Sequence, residues 1–153
     1  MALNTTFVSG AILTAAQMNN LPMGIVSVTN NTASSSSVSV ETLAITSPSF
    51  TAVANRYYRI SYYEPACQFV SGTVNNFDLK IRITSIAGTQ YQLANPTIRS
   101  AGANAGFASI VTTLSAGATV FVATFQPTGG GNGQCFRNAT AVAQLIIEDI
   151  GST

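Results

Sequence analysis

The stretch that decides the fold class is Phe77-Asp78-Leu79-Lys80-Ile81-Arg82-Ile83, in which apolar and charged residues alternate strictly. In a β-strand this alternation places the apolar side chains on one face of a sheet and the charged side chains on the other. An α-helix would scatter both sets around its axis. The stretch therefore predicts a half-buried β-strand.

Similar short stretches, separated by turn residues, lie on both sides of it. Ala87-Gly88 predicts a turn into a strand at 90–93, and Glu64-Pro65 predicts the end of an aromatic-rich strand at 56–63. Further strands are predicted at 25–28, 38–45, 50–53 and 141–149, and a pair at 107–114 and 119–125 is predicted across a turn at 115–117. Short strands at this spacing, with no long amphipathic helix between them, favour an all-β antiparallel sandwich or barrel.

Residues 1–24 have a different pattern. Thr14 predicts the N-cap of a helix that Asn19, Asn20 and Pro22 end after one or two turns. A helix this short is not stable alone, so we expect residues 1–24 to form an anchoring or oligomer-organising arm beside a sandwich domain at 25–153. The apolar side chains predicted to make the contacts of this arm are Phe7, Leu13, Met18 and Leu21.

The composition indicates an assembling protein. Only 7% of the 153 residues are charged, against about 25% in typical soluble domains, which predicts an outer surface covered by copies of the chain or by a larger assembly. The basic residues are scattered, so we expect no nucleic-acid partner. No apolar run reaches the ~20 residues of a membrane span, and residues 1–30 contain no Lys or Arg. We therefore expect no membrane partner, no secretory signal and assembly in a cytosol.

Catalytic residues are not indicated. The chain has no histidine, which removes the commonest general base and most zinc sites. Glu148 and Asp149 are neighbours on a predicted strand and point to opposite faces, and Asp78 alternates with Lys80 and Arg82. We predict that the protein is not an enzyme and has no metal or cofactor.

Two further sets of residues leave alternatives open. Cys67 and Cys135 are either free thiols or the ends of a long-range disulfide that forms after release into an oxidising medium. Tyrosines lie at 57–58 and 62–63, where strand alternation buries one of each adjacent pair. Tyr58 and Tyr63 are the predicted exposed aromatics, suited to contacts with a protein or a glycan.

Three stretches, in this order, resemble the particle proteins of tailed bacteriophages. Residues 7–19, FVSGAILTAAQMN, resemble their F-x-x-G-x-x-L-T-A-A-x-x-N leader. Residues 50–60, FTAVANRYYRI, resemble their F-T-A-x-A-x-R-x-Y-R-I strand pair. Residues 145–151, LIIEDIG, are similar to their closing hydrophobic-hydrophobic-V-E-D-hydrophobic-G strand.

The resemblance implies a jelly-roll β-sandwich that is usually trimeric. Its members are capsid decoration proteins or parts of tail fibres. We therefore expect a capsid decoration (cement) protein on the outer surface of the virion, assembled in the host cytoplasm. It would act as a homotrimer bound to the major capsid protein or another virion protein. The alternative is a tail-fibre or minor tail protein that binds a host receptor or glycan through loops at 64–76 and 127–138.

Overall fold

A computed structural model describes residues 12, 14–71, 75–98 and 102–153. In this part of the chain there are one short helix and twelve strands. They are α1 (Ala15–Asn19), β1 (Gly24–Asn31), β2 (Thr42–Thr46), β3 (Phe50–Ala52), β4 (Arg56–Ser71), β5 (Asn75–Ile83), β6 (Gln90–Ala94), β7 (Thr97–Ile98), β8 (Asn104–Thr113), β9 (Gly117–Thr119), β10 (Phe121–Thr128), β11 (Asn132–Cys135) and β12 (Ala143–Ser152).

The strands form two antiparallel sheets that share one hydrophobic core. Sheet I has the order β1-β12-β4-β8, and β11 pairs with the C-terminal half of β4. Sheet II has the order β2-β10-β5-β6, and β7 pairs with the start of β5. Strands β3 and β9 form a separate two-stranded ribbon. The all-β antiparallel sandwich predicted from the sequence is confirmed.

The pairing of the eight principal strands is nested. In chain order these are β1, β2, β4, β5, β6, β8, β10 and β12. The first pairs with the last, the second with the seventh, the third with the sixth and the fourth with the fifth. Successive strands therefore cross repeatedly between the sheets, and the inner faces of both sheets come together around one core.

The core follows the predicted alternation. On β5 the inward residues Phe77, Leu79 and Ile81 are fully buried, and they pack in one cluster with residues of sheet I such as Ile60 and Leu145. Burial of one such side chain stabilises the fold by roughly 1.5–3 kcal/mol. The charged residues of the same strand lie on the opposite, outer face, as the sequence predicts.

Strand β4 continues beyond its predicted end. The expectation that Glu64-Pro65 ends the strand is wrong, because the pairing with β8 contains a bulge between Glu64 and Cys67. Proline is tolerated there because a bulged residue makes no ladder hydrogen bond. The bulge also changes which positions face the core, from Ile60 and Tyr62 before it to Cys67 and Phe69 after it.

Two further strand predictions differ from the structure. Strand β2 begins at Thr42, and Val38 makes only an isolated bridge to Gly133. Strands β8 and β10 are not a hairpin, because β8 pairs with β4 whereas β10 lies between β2 and β5. The intervening β9 pairs with β3, so the chain crosses from one sheet to the other between β8 and β10.

The arm begins with a capped helical turn. Thr14 caps α1 through a capping box in which its hydroxyl accepts from the backbone N–H of Gln17 and the Gln17 side chain accepts from the Thr14 N–H. Strand β1 begins at Gly24, close to the predicted domain boundary. Within the described ranges, no helix has the length and hydropathy needed to cross a membrane.

Candidate functional site

The outer face of sheet I exposes several large apolar side chains. Side chains on β4 and β8 alternate, so the residues between the core positions point outward. Among them Phe107 is 59% exposed and Val111 is 50% exposed. Phe107 lies opposite Tyr63 in the register, and Val28 of β1 lies opposite Ile146 of β12. We call this surface the apolar face; it comprises Val28, Tyr57, Tyr63, Phe107, Val111 and Ile146.

Two polar pairs lie within the apolar face. Arg59 Nε donates to Glu148 Oε2 at 2.8 Å, and the hydroxyls of Ser61 and Ser109 are 2.9 Å apart. Arg59 lies beside both Val111 and Glu148 in the register. The face therefore carries one cation and one anion at its centre, surrounded by apolar side chains, so its net charge is balanced.

The centre of the outer face of sheet II is charged. Both oxygens of Glu41 accept from the Arg82 guanidinium, at 2.7 and 3.0 Å, and Lys80 Nζ donates to the same carboxylate at 3.0 Å. The Thr124 hydroxyl donates to it at 2.6 Å, and Asp78 Oδ2 is 3.5 Å from Lys80 Nζ. Together these residues form the Glu41 cluster, which covers the centre of this face with paired charges.

The Glu41 cluster changes the acidity of its central carboxyl group. Burial alone raises the pKa of Glu41, but hydrogen bonds from Arg82, Thr124 and Lys80 outweigh burial and lower the pKa from 4.5 to about 2. Glu41 is therefore ionised at neutral pH, and its lone pairs are occupied by donors of its own chain.

A second ion pair is buried inside the sandwich. Arg137 donates from Nε and Nη2 to the two oxygens of Glu64 at 2.9 and 2.7 Å, and the Tyr62 hydroxyl donates to Glu64 at 2.6 Å. Arg137 Nη1 also donates to the carbonyl of Ala33, so the pair holds the loop after β1 against β4. The side chains of Glu64 and Arg137 are 0% and 2% exposed.

Every carboxylate in the sequence is engaged in an ion pair. The five are Glu41, Glu64, Asp78, Glu148 and Asp149. Each has a cation of the same chain within salt-bridge distance. Among the described residues, no group of three or more His, Cys, Asp or Glu side chains is arranged to hold a metal ion. The absence of enzymatic activity and of a cofactor stays a prediction.

The arm is held to the sandwich by Arg56. This largely buried side chain pairs with Asp149, at 2.7 Å between Nη2 and Oδ1, and donates to the backbone carbonyls of Asn19 and Leu21. Burial alone raises the pKa of Asp149, but the hydrogen bonds from Arg56 and from the Gly151 N–H outweigh it and lower the pKa. The arm is thus fixed through its backbone carbonyls.

In the described part of the arm, most side chains are exposed. Of the four predicted anchor residues, Phe7 and Leu13 lie outside the described residues. The side chains of Met18 and Leu21 are exposed, although Arg56 binds the carbonyl of Leu21 and that of Asn19, the residue after Met18. Met23, Ile25 and Val53, none of which the sequence singled out, are also exposed. They line a shallow apolar hollow beside the arm, and only the fold brings Val53 next to Met23.

The prediction that Tyr58 is exposed is wrong. Tyr58 is 2% exposed, and its hydroxyl accepts a hydrogen bond from the Val53 N–H at 2.9 Å. Tyr63 is exposed as predicted, and Tyr57 is exposed in place of Tyr58. The reason is strand parity, because residues 57 and 63 share one face of β4 whereas residues 58 and 62 share the other.

The two cysteines are brought together by the fold. Cys67 and Cys135 lie opposite each other on β4 and β11, both are buried free thiols, and their Sγ atoms are 3.8 Å apart. Of the two alternatives left open by the sequence, the structure shows free thiols. The two thiols are nevertheless direct neighbours across the sheet.

No protein-family model matches this chain, and no curated protein matches it in sequence. The assignment of function therefore depends on the geometry of the described residues, together with the sequence patterns. Of these surfaces, the apolar face is the one whose chemistry most needs an explanation, because the polar clusters are already satisfied by the chain's own groups.

Proposed function

We propose that this chain is a structural protein of a tailed-phage particle, most simply a capsid decoration protein that works as a homotrimer. The observation that carries the proposal is the apolar face of sheet I. A solvated antiparallel sheet normally presents polar side chains to water, whereas this face presents Phe107, Val111, Tyr57 and Tyr63. Large exposed apolar side chains grouped on one face typically mark an interaction site.

A second copy of the chain fits the face better than a charged partner. The face carries both Arg59 and Glu148 at its centre, so neither sign of charge dominates it. Interfaces between identical subunits are more apolar than other protein interfaces. A closed ring of three chains buries every copy of the face around one axis, which also accounts for a sequence with so few charged residues.

The strand order supports a virion role. Two four-stranded antiparallel sheets with nested pairing have the connectivity of a jelly roll, which we propose as the fold of this chain. This architecture recurs in viral capsid domains. It agrees with what the resemblance of residues 7–19, 50–60 and 145–151 to phage particle proteins implies. Because folds host many functions, this support is secondary to the apolar face.

Decoration would stabilise the particle by mass action. A protein that binds only the assembled shell lowers the free energy of that state relative to its dissociated subunits. The exposed apolar side chains of the arm region, including Met18, Leu21 and Met23, are the proposed contacts with the major capsid protein or another virion protein. They lie where Arg56 holds the arm on the sandwich.

The trimer is tested by substituting one residue on each sheet. Phe107→Lys adds a charge to the apolar face, and we expect loss of the oligomer as measured by light scattering. Leu93→Lys is the matched control, because Leu93 is 43% exposed on β6, which lies at the edge of sheet II as β8 does in sheet I. A monomeric unsubstituted protein, or equal dissociation by both variants, would rule out association through the apolar face.

The location is tested by labelling native particles with antibody to this chain. Label over the whole shell supports decoration. Label confined to the tail tip would instead favour the alternative, a receptor-binding tail protein. For that alternative the exposed Tyr63 is the first residue to substitute, because it lines a shallow hollow with Pro65, Thr140 and Gln144 and aromatic rings suit glycan contacts.

A further inference from the structure

We infer that Cys67 and Cys135 form a reversible intramolecular disulfide that crosslinks β11 to β4 when the protein enters an oxidising medium. The two residues are direct partners in the antiparallel register, and their Sγ atoms are 3.8 Å apart. They are the only cysteines in the sequence, so an intramolecular bond has a single pairing. This inference does not depend on the proposed virion role.

The backbone at this position is suited to a disulfide. Cys135 exchanges no ladder bond with Cys67, because its N–H donates to the Ser35 hydroxyl and its carbonyl accepts from the Ser35 N–H. The next residue, Phe136, donates to Ala66, which makes Cys67 and Cys135 a non-hydrogen-bonded pair. In such pairs the Cα atoms are about 4.5 Å apart, within the roughly 4.4–6.8 Å range of disulfides.

The closed structure protects the thiols. Both cysteine residues are fully buried, and burial, reinforced by the neighbouring Cys67 thiol, raises the pKa of Cys135 far above its ordinary value. Since the thiolate is the reacting species, exchange requires β11 to open. That strand has four residues and follows Gly129 and Gly130, which both have positive φ, so we expect it to open at lower urea than the longer strands of the sheet.

The reaction is a thiol–disulfide exchange with a small-molecule disulfide as oxidant. One cysteine loses its proton to solvent, attacks the oxidant and releases one thiolate, which leaves a mixed disulfide on the protein. The second cysteine then loses its proton and attacks the protein-bound sulfur. The Cys67–Cys135 bond forms, the second small thiolate leaves, and two electrons have passed from the protein to the oxidant.

The bond would act on a large part of the chain. It joins residues 68 positions apart, so it restricts the unfolded chain strongly. It also fixes β11, whose Gly133 and Cys135 hold the segment after β1 through Val38 and Ser35. Because thiols stay reduced in a cytosol, the bond would form only in an oxidising medium.

The test is oxidation of the full chain with oxidised glutathione across a series of urea concentrations below the unfolding transition. We expect both thiols to disappear in a thiol assay under denaturing conditions, faster as urea rises, with the chain two hydrogen atoms lighter. The oxidised protein should unfold at higher urea than the reduced protein, and a dithiol reductant should reverse the shift. Cys67→Ser and Cys135→Ser are the matched controls and should show no such shift.

Three results would overturn the inference. In the first, both thiols persist although urea has opened the strand. In the second, the new bond joins two chains, which would show as a crosslinked species in a non-reducing gel. In the third, the oxidised protein unfolds at lower urea than the reduced protein, which would mean that the folded sheet does not accept the bond.

Discussion

At the scale of single residues, the buried Glu64–Arg137 pair is the most sensitive polar element that we describe. Taking two charges out of water costs several kcal/mol per ion, and only good geometry and further hydrogen bonds offset this cost. Here two N–H groups of the Arg137 guanidinium and the Tyr62 hydroxyl donate hydrogen bonds to the Glu64 carboxylate. Burial and the adjacent Glu64 carboxylate raise the pKa of Tyr62 well above its ordinary value, so its hydroxyl stays protonated as a donor.

Glu64→Gln should therefore destabilise the fold strongly. The substitution leaves the Arg137 charge buried without its anion, which typically costs about 3–5 kcal/mol. Urea unfolding followed by circular dichroism measures the effect. Glu148→Gln, which removes the acid of the Arg59 pair, is the control. In the Phe107→Lys background, where the apolar face and this pair stay exposed, it should change the free energy of unfolding by at most about 1 kcal/mol. Equal losses in the two variants would contradict the role assigned to the buried pair.

The Glu41 cluster predicts how stability changes with pH. The folded pKa of about 2 lies below the ordinary value of 4.5, so the unfolded chain takes up a proton in this window that the folded chain does not. Stability contributed by Glu41 is complete above pH 4.5 and is lost as pH falls toward 2.

Glu41→Gln checks this sign. We expect the variant to be less stable than the unsubstituted protein at pH 7 and to approach it near pH 2, as measured by urea midpoints at each pH. The gap at neutral pH is at most about 3 kcal/mol, because the Glu41 carboxylate is partly solvated. A gap that stays constant from pH 7 to pH 2 would show that the charge of Glu41 is not what stabilises the cluster.

Residue exposure on β4 could have been predicted better from the sequence. Alternation alone requires Tyr58 and Tyr62 to share a face, so Tyr58 and Tyr63 could not both be exposed on an unbulged strand. Alternation does not predict which of the two faces of β4 packs against the core. That choice depends on the partner strands, because Ile60 is buried against residues that are distant in sequence.

At the scale of elements, the attachment of the arm depends on the several N–H donors of the Arg56 guanidinium group. The guanidinium group binds Asp149 and the carbonyls of Asn19 and Leu21 at the same time, a geometry that the single ammonium group of lysine does not reproduce. Arg56→Lys should therefore release the arm while the sandwich stays folded. We expect faster cleavage by thermolysin next to the exposed Met18 and Leu21.

Arg59→Lys provides the comparison for this experiment. It makes the same chemical change on the same strand, but Arg59 pairs with Glu148 on the outer face and makes no hydrogen bond to the described part of the arm. Its cleavage rate should equal that of the unsubstituted protein. If Arg56→Lys also left the rate unchanged, the arm would be held by contacts other than this side chain.

Strands with strict alternation were predictable, whereas their connections were not. The β5 pattern and the turn into β6 come from local residue types, and both are confirmed. The continuation of β4 through Pro65 depends on a bulge opposite β8, which local propensity does not encode. The same holds for β8 and β10, whose turn residues predict a hairpin although the two strands belong to different sheets.

At the scale of the whole molecule, an assembly held by the apolar face couples folding to association. If the folded chain is stable chiefly as an oligomer, its unfolding midpoint depends on protein concentration by mass action. We expect the urea midpoint of the unsubstituted protein to rise over a hundredfold increase in concentration. The midpoint of Phe107→Lys should be independent of concentration. Identical, concentration-independent midpoints would show that the chain folds and persists as a monomer.

Only part of the apolar face could be predicted from the sequence. Phe107 and Val111 were predicted in a strand, and the low charge content predicted a covered surface. Their place beside Tyr63 and Arg59 follows from the pairing of β8 with β4, which links positions far apart in the chain. Long-range pairing of this kind is decided by the competition among all strands, so composition indicated an interface without locating it.

The position of β12 has a consequence for synthesis on the ribosome. This last strand lies in the interior of sheet I, between β1 and β4, and contributes Leu145 and Ile147 to the core. Until it leaves the exit tunnel, β1 lacks the strand with which it pairs in the described part of the chain, and one edge of β4 is unpaired. Chains grow at about 5–20 residues per second and pairings between distant segments form slowly. Nascent chains that lack β12 therefore carry incomplete sheets, and the sandwich is completed only after this strand has been made.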